Sequence, residues 1–372
     1  MVKRRSNSVR KGLSWLVFLF VLGLARVPGF ADDWARQCSV ALFAFSDSGE
    51  GQKIWLAKGD EVKKLELPEA TTALSWSPDL KLVAYSLLND PGRVKVKSGS
   101  PSGSTVLDRK LGARGGFWWS PQGDQVAFLD DGSAIADPGS REKAGSPWAG
   151  GLSVLDIKKG RGRRIIHNPE SPGDPLLRAE WSPDGRWVAA MDEGGGLSVV
   201  RPDGTSQRYC EKLVTGFSWL PDGRGLLVTG ASFLGWRGAA VWTIEDGKFD
   251  LVVAPNEEMS SEEFDEPCLS PDGTKVAFSY EARSKETGDR GTVCVLCLDL
   301  QSGKVNVVAT GEGAAWSPRF LPDGSVAFLS NGDPVFAYVI ADKAEMAGSD
   351  GTSRKTLASV PGELFYSLAI AP

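Results

Sequence analysis

The chain has 372 residues, with 47 acidic and 42 basic side chains and a single histidine. Gly and Pro together make up about 18% of it, above the roughly 12% of an average chain and below the 25–30% of low-complexity sequences. We therefore expect a folded protein with many turns. One histidine excludes a metal site built from several imidazoles and leaves almost no basis for a nucleophile–histidine–acid triad.

The first 31 residues have the pattern of a secretory signal peptide. An apolar run from Gly12 to Ala25 leads to a small-residue exit at Ala31, which predicts cleavage there. An uncleaved membrane anchor is the alternative, although the run is shorter than the roughly 20 apolar residues of a spanning helix. We predict a signal peptide at 1–31 and a periplasmic or secreted chain at 32–372. The basic residues that precede the apolar run are Lys3, Arg4, Arg5, Arg10 and Lys11.

Removal of the signal peptide makes the chain more acidic. The segment contains six basic residues and no acidic one, so the mature chain keeps 36 basic and 47 acidic side chains, a net charge of −11. A protein with this charge is a poor ligand for the phosphate backbone of nucleic acids. We predict no nucleic-acid partner, and no stable membrane span after signal cleavage.

One short phrase, built on Trp-Ser-Pro-Asp-Gly, recurs six times in the mature chain. Pro favours the second position of a tight turn, Asp bonds back to the backbone from the third, and Gly accepts the left-handed conformation that ends the turn. The phrase therefore predicts a hairpin corner with a large apolar anchor before it. We interpret its tryptophans and prolines as architecture, not as a ligand site. They are Trp76, Pro78, Trp119, Pro121, Trp181, Pro183, Trp219, Pro221, Pro271 and Pro322.

A short apolar strand follows each corner, as in Val276-Ala277-Phe278. Further short strands come next, for example 151–156 and 163–166, with a Gly-containing turn between them. Four short antiparallel strands in a unit of roughly 40–50 residues are typical of a β-propeller blade.

The two ends of the chain complete the blade count. Residues 39–67 contain three strand patterns without the opening phrase, and residues 365–372 look like an opening strand without the rest of its blade. We predict that these ends share one blade and close the ring. The predicted fold is an all-β, seven-bladed β-propeller in a single domain, with six or eight blades as alternatives.

The Ser-Pro-Asp-Gly phrase, with the Trp before it and Val-Ala-Phe after it, resembles the WD-repeat-like propeller repeats of the TolB family. The resemblance covers essentially the whole mature chain and only the propeller, without the N-terminal domain that TolB itself carries. It implies an exported protein that presents a propeller surface to a partner.

The sequence gives little support to the hypothesis that the protein is an enzyme. Peptidases and lyases with related propellers exist, but the chain has no Gly-x-Ser-x-Gly elbow, and its one histidine, His167, falls in a polar stretch that we interpret as a solvated loop. We therefore predict that the protein is not an enzyme, with no catalytic residues, no cofactor and no metal. The alternative is a hydrolase or lyase acting on a glycan or peptide in the central channel.

The five cysteines do not form an evident redox or metal motif. Cys294 and Cys297 lie three apart in an apolar strand pattern and would face opposite sides of it, so we favour buried free thiols. In an oxidising compartment, up to two disulfides remain possible. The other cysteines are Cys38, Cys210 and Cys268.

Long connections are predicted on one face of the disc only. If the Pro-Asp-Gly corners and the outer turns share a face, the long segments 130–150, 168–177, 229–239, 255–266 and 281–291 emerge on the other. Exposed aromatic and arginine side chains are frequent interface anchors; the alternative is that these aromatics pack inward and cap the channel. We predict a monomeric propeller that binds or scaffolds an envelope protein, peptide or glycan. The candidate binding residues are Trp148, Phe233, Trp236 and Arg237.

Overall fold

The computed structural model describes most of the chain between residues 40 and 370. The described residues are 40–45, 52–58, 61–65, 71–79, 81–87, 89–98, 103–131, 151–167, 176–230, 238–253, 263–283, 290–310, 314–321, 323–332, 341–360 and 365–370. The expected signal peptide at 1–31 lies outside them. Within these ranges, no helix is both long and apolar enough to cross a membrane.

The described residues form seven sheets of four antiparallel strands, which we call blades 1 to 7. Blade 1 contains β1 (Val40–Phe45), β2 (Gln52–Lys58), β3 (Glu61–Leu65) and β28 (Phe365–Ile370); blade 2, β4 (Thr71–Trp76), β5 (Leu82–Leu87), β6 (Asp90–Ser98) and β7 (Thr105–Lys110); blade 3, β8 (Ala113–Trp119), β9 (Gln125–Asp130), β10 (Gly151–Asp156) and β11 (Arg161–His167).

The remaining four blades follow in chain order. Blade 4 contains β12 (Leu176–Trp181), β13 (Val188–Asp192), β14 (Leu197–Val200) and β15 (Gln207–Tyr209); blade 5, β16 (Val214–Trp219), β17 (Gly225–Gly230), β18 (Gly238–Thr243) and β19 (Phe249–Val253); blade 6, β20 (Glu263–Leu269), β21 (Lys275–Arg283), β22 (Arg290–Asp299) and β23 (Val305–Ala309); blade 7, β24 (Ala314–Phe320), β25 (Val326–Asn331), β26 (Lys343–Ala347) and β27 (Lys355–Ala358).

The ends of the chain meet in blade 1, as predicted. The C-terminal strand β28 pairs antiparallel with the N-terminal strand β1, with Val40 opposite Ile370. Neighbouring blades share hydrophobic clusters, so that Phe117 of blade 3 packs in one cluster with Val94 of blade 2, and Leu329 of blade 7 in another with Leu42 of blade 1. This arrangement confirms the β-propeller.

The innermost strand of each blade is the one that carries the repeated phrase, or β28 in blade 1. These strands contact the neighbouring blades, whereas the outermost strands carry exposed apolar side chains. The exposed residues are Val106, Tyr209, Leu251, Val305 and Val307. The phrase-bearing strands therefore surround the axis of the disc, where propellers have their central channel.

The hairpin corners have the predicted hydrogen bonds. In blade 3 the Gly123 N–H donates to the Ser120 carbonyl oxygen (2.8 Å), and the N–H of Gln125 donates to the Ser120 hydroxyl (3.0 Å). Gly123 has φ 71°, a left-handed conformation in which a side chain would be strained. The equivalent glycines with the same bond and positive φ are Gly185, Gly223, Gly273 and Gly324. Pro322 lies outside the described residues.

The phrase tryptophans fasten one blade to the next. The indole N–H of Trp119 donates to the Ser75 carbonyl oxygen (3.0 Å), that of Trp181 to Trp118 (2.8 Å) and that of Trp219 to Glu180 (3.2 Å). In each case the acceptor lies just before the tryptophan position of the preceding blade. The three indoles are at most 8% exposed. The tryptophans thus combine burial with a directed bond between blades.

We expect the turn aspartates to make the free energy of unfolding decrease as the pH falls into the acid range. Hydrogen bonds from Ser270 and Thr274 lower the pKa of Asp272 from 3.8 to about 2. Its contribution is therefore complete above pH 3.8 and lost as the pH falls towards 2. Asp272→Asn should flatten the pH dependence of the urea midpoint between pH 4 and about 2.

The control for this measurement is Gln122→Asn. Gln122 occupies the same turn position in blade 3 with an uncharged side chain, so its exchange should leave the slope unchanged. Equal slopes for Asp272→Asn and the natural chain would contradict the prediction.

Candidate functional site

One face of the disc consists of interlocked short turns. The corner between the first and second strands bonds to the turn between the third and fourth, as where the Ile244 N–H donates to the Arg224 carbonyl oxygen (3.2 Å). Neighbouring blades also make contact here, since the Arg163 guanidinium on β11 of blade 3 donates to the carbonyl oxygen of Asp203 in a turn of blade 4 (2.8 Å). We call this surface the turn face.

Because the strands of each blade are antiparallel, the strand ends that the other connections join lie on the opposite side, which we call the loop face. Most of the residues of these connections lie outside the described ranges. The connections include the stretch between Asp130 and Gly151 and that between Val253 and Glu263, both longer than the turns of the turn face. The predicted binding residues all belong to such stretches and lie outside the described residues. They are Trp148, Phe233, Trp236 and Arg237.

One residue on the innermost strand of each blade occupies an equivalent position in the strand register, and these residues therefore lie at the same height along the axis of the ring. In blades 2 to 7 this residue lies two positions before the turn-opening residue and pairs with an alanine or leucine on the second strand; in blade 1 the corresponding residue is Ala369 of β28, which pairs with Ala41. We call the set the channel layer. It comprises Ser75, Trp118, Glu180, Ser218, Cys268, Arg319 and Ala369.

Polar groups of the channel layer concentrate on four consecutive blades, 4 to 7, which carry Glu180, Ser218, Cys268 and Arg319. Arg178, two residues before Glu180 on β12, donates from Nε to its Oε1 (3.0 Å), and its Nη2 contacts the same oxygen. The Arg178 guanidinium also lies 4.8 Å from the centre of the Phe217 ring. Contacts to both neighbours hold this arginine in place beside the carboxylate.

Arg319 on β24 has unused hydrogen-bonding capacity. Its Nη1 donates to the Pro318 carbonyl oxygen (2.6 Å). Its Nη2 is buried and has no hydrogen-bond partner in the part of the chain that the structure describes. A buried charged donor without a partner lowers the stability of the fold by about 1–3 kcal/mol or more. A hydrogen-bond acceptor bound at this nitrogen would recover that energy.

The pKa of the Cys268 thiol responds to charged side chains of blades 4 and 7. Burial is the largest influence and raises its pKa; the charges of Arg319 and Arg178 lower it, and that of Glu180 raises it. The effect of burial on the pKa is larger than that of the arginines, so the group is a neutral thiol at neutral pH and a poor nucleophile. The three charged groups nevertheless lie near enough to act on one sulfur atom from different blades.

A β-bulge interrupts the pairing of the first and second strands in all seven blades. In blades 6 and 7 the bulges contain Glu266 (φ 48°) and Ser317 (φ 57°), two of the three described non-glycine residues with positive φ. The Ser317 N–H donates to the buried Ser279 hydroxyl of blade 6 (3.1 Å). Bulges re-aim neighbouring side chains, and in blades 6 and 7 the bulge ends at the channel-layer residue, Cys268 or Arg319.

Two further polar clusters tie outer strands together. Asp130 on β9 accepts a hydrogen bond from the Ser153 hydroxyl (2.7 Å) and pairs with Arg164, whose side chain is 5% exposed. In blade 7 the Glu345 carboxylate accepts from Ser330 (2.6 Å) and pairs with Arg354 (2.6 Å). These clusters satisfy buried charges inside a blade, and we interpret them as structural.

The cysteine and histidine positions are also visible. Cys297 and Cys294 belong to different hydrophobic clusters on either side of blade 6, and the four described cysteines are free. His167 is the last residue of β11, so the loop interpretation of its position was wrong. Among the described residues, no group of three or more His, Cys, Asp or Glu side chains could hold a metal ion.

The seven four-stranded sheets define a β-propeller, and comparisons with solved structures find the same architecture. The chain is similar to TolB from Acinetobacter baumannii (16% identity, 93% of this chain and 68% of that chain, TM-score 0.50). It is also similar to a puromycin hydrolase (15%, 94% and 55%, TM-score 0.57) and to an oligogalacturonate lyase from Vibrio parahaemolyticus (14%, 84% and 86%, TM-score 0.57). The likeness confirms a TolB-like propeller as the fold.

No protein-family model matches the sequence, and the search of curated proteins found no match. The chain spans only 55% of the puromycin hydrolase.

The comparisons correct one expectation from the sequence. The prediction that the protein is not an enzyme is contradicted, because two of these structural neighbours are a hydrolase and a lyase. The physical reason is that a propeller fold does not specify chemistry, which resides in the side chains of a site. A shortage of histidine excludes histidine chemistry alone, whereas the channel layer contains a carboxylate, a thiol and an arginine.

Proposed function

We propose that this chain is an exported, monomeric propeller that binds an envelope partner in the periplasm or outside the cell. Residues 1–31 would be its signal peptide and 32–372 a single propeller domain. The observation that carries the proposal is the difference between the two faces: one has short turns bonded to one another, and the other has the strand ends that the longest stretches of sequence join. Loops on a rigid scaffold are where binding usually resides.

The partner that fits best is a protein, peptide or glycan. The loop-face stretches contain the aromatic and cationic residues Trp148, Phe233, Trp236 and Arg237, the types that dominate interface energies. The resemblance of the repeat to TolB supports a protein partner, since it implies a propeller surface presented to another envelope component.

The test is to express the full chain in its native host and to capture its partner from extracts of the cell envelope. Trp148→Ala, Trp236→Ala and Arg237→Ala together should abolish co-purification of the component that the natural chain captures, as measured by mass spectrometry. N-terminal sequencing of the same sample should begin at Asp32. The control is Arg186→Ala, an exchange at a corner of the turn face. Undiminished capture by the triple variant would refute this choice of face.

A second candidate function is a hydrolase or lyase acting on a glycan or peptide in the channel. The observation that favours it is the Glu180 carboxylate held beside Arg178 in the channel region, on a fold that a hydrolase and a lyase also use. Mass spectrometry of the captured ligand separates the two candidates. A bound ligand released unchanged supports binding, and a cleaved one supports the enzyme.

A further inference from the structure

We infer that blades 4 to 7 form an anion-binding site in the central channel, where Arg319, assisted by Arg178, takes a carboxylate group of the ligand. This inference goes beyond the binding function proposed above and does not depend on it. The two proposals rest on different residues, so either can fail without the other.

The first argument is the unsatisfied donor. Arg319 bonds through Nη1 to its own strand, while Nη2 is buried with no partner among the described residues. Guanidinium groups bind carboxylates through directed, charge-assisted hydrogen bonds. An oxyanion in the channel would supply the acceptor that the chain leaves out at this nitrogen.

The second argument is that charged side chains of separate blades converge on one part of the channel. Arg319, Cys268 and Glu180 occupy the same level of the ring by strand register. Arg178 is held beside this level by Glu180 and the Phe217 ring. Both guanidinium groups therefore reach one region of the channel from separate blades.

The third argument concerns the charge of the ligand. Arg178 already pairs with the Glu180 carboxylate, whereas Arg319 donates to a backbone carbonyl oxygen and keeps Nη2 without a partner among the described residues, so the single charge of Arg319 is left for an external anion. One excess positive charge matches a singly charged carboxylate better than a doubly charged phosphate. The thiol of Cys268 and the hydroxyl of Ser218 add weak neutral donors at the same level.

The fourth argument is backbone strain. Glu266 and Ser317 hold left-handed conformations two residues before Cys268 and Arg319, a state that costs of order 1–3 kcal/mol for each residue and is concentrated at functional sites. Glu266 has an interaction of its own, and Ser317 is bonded to blade 6. The strained bulges orient the two side chains that follow them.

Calorimetric titration of the mature chain tests the site with four small probes. D-glucuronate and N-acetylalanine carry the carboxylate of an acidic sugar and of a peptide end; D-glucose and N-acetylalanine amide are their neutral twins. We expect one carboxylate to bind and its neutral twin to fail, which also identifies the source of the group. Failure of both carboxylates, or tighter binding of inorganic phosphate than of either, would overturn the proposal.

The decisive variant is Arg319→Gln, which should weaken carboxylate binding about tenfold or more. Arg186→Gln makes the same exchange at the turn face, where the side chain is 57% exposed, and should bind as the natural chain does. Equal affinity of Arg319→Gln and the natural chain would overturn the assignment of Arg319.

A variant with the opposite effect keeps the proposal testable if Arg319→Gln does not fold. Glu180→Gln removes the negative charge beside Arg178 and raises the positive charge of the site. It should tighten carboxylate binding severalfold and introduce binding of inorganic phosphate. Unchanged or weaker binding of both anions would refute the charge argument.

Discussion

Replacement of Trp181 with alanine is expected to lower the free energy of unfolding by about 3–5 kcal/mol. Trp181 is 8% exposed, packs with Leu152 and Trp118 of the preceding blade, and donates its indole N–H to the Trp118 carbonyl oxygen at 2.8 Å. The substitution therefore removes apolar contact across a blade boundary and leaves a buried acceptor without its donor. Urea unfolding followed by circular dichroism measures the loss.

A second substitution separates the two contributions of this side chain. Trp181→Phe keeps one aromatic ring but loses the N–H donor and part of the ring volume, so we expect a loss of about 1–3 kcal/mol, smaller than that for alanine. Trp187, which is only partly buried and lies under the Arg201 guanidinium at 4.4 Å, provides the control, and Trp187→Ala should cost less than Trp181→Ala. If the two alanine variants lose the same stability, the phrase tryptophan has no special part in joining the blades.

Asp130→Asn is expected to lower the free energy of unfolding by about 3–5 kcal/mol, because it leaves the Arg164 charge buried without its counter-ion. The two side chains are 1% and 5% exposed, and they join β9 to β11 across the intervening Ser153 on β10. The added exchange Arg164→Leu removes the unpaired charge and should recover part of the loss.

The matched control is Asp108→Asn in blade 2. Asp108 pairs with Arg93 at 2.7 Å, but their side chains are 40% and 36% exposed, and exposed pairs contribute little to stability because water screens their charges. Chemical unfolding of both variants at neutral pH measures the contrast. A loss for Asp130→Asn as small as that for Asp108→Asn would show that water reaches the blade 3 pair.

The sequence alone determined the blades because their information is local. A Pro-Asp-Gly corner sets its own dihedral angles within a few residues, and the tryptophan before it needs burial wherever the fold takes it. Closure of the ring was also predictable, since residues 365–372 carry the opening strand that residues 39–67 lack. The loop-face candidates Trp148, Phe233, Trp236 and Arg237 remain predictions.

The channel layer was missed because its members lie far apart in the chain. Glu180, Cys268 and Arg319 meet only when seven blades close into a ring, and Cys268 by itself suggested nothing more than a buried thiol. A signal was nevertheless present. The position two residues before each turn varies freely between serine, tryptophan, glutamate, cysteine and arginine, while the positions around it repeat.

Only the tertiary structure decided which side chains share an environment. Strand register and the bulges set the level of each channel residue, and burial determines that Cys268 stays a neutral thiol despite two nearby arginines. The same holds for the pairing of Asp130 with Arg164 across three strands. Local dihedral preferences specify a blade, whereas the charges that meet at the axis depend on long-range packing, which no short stretch of sequence encodes.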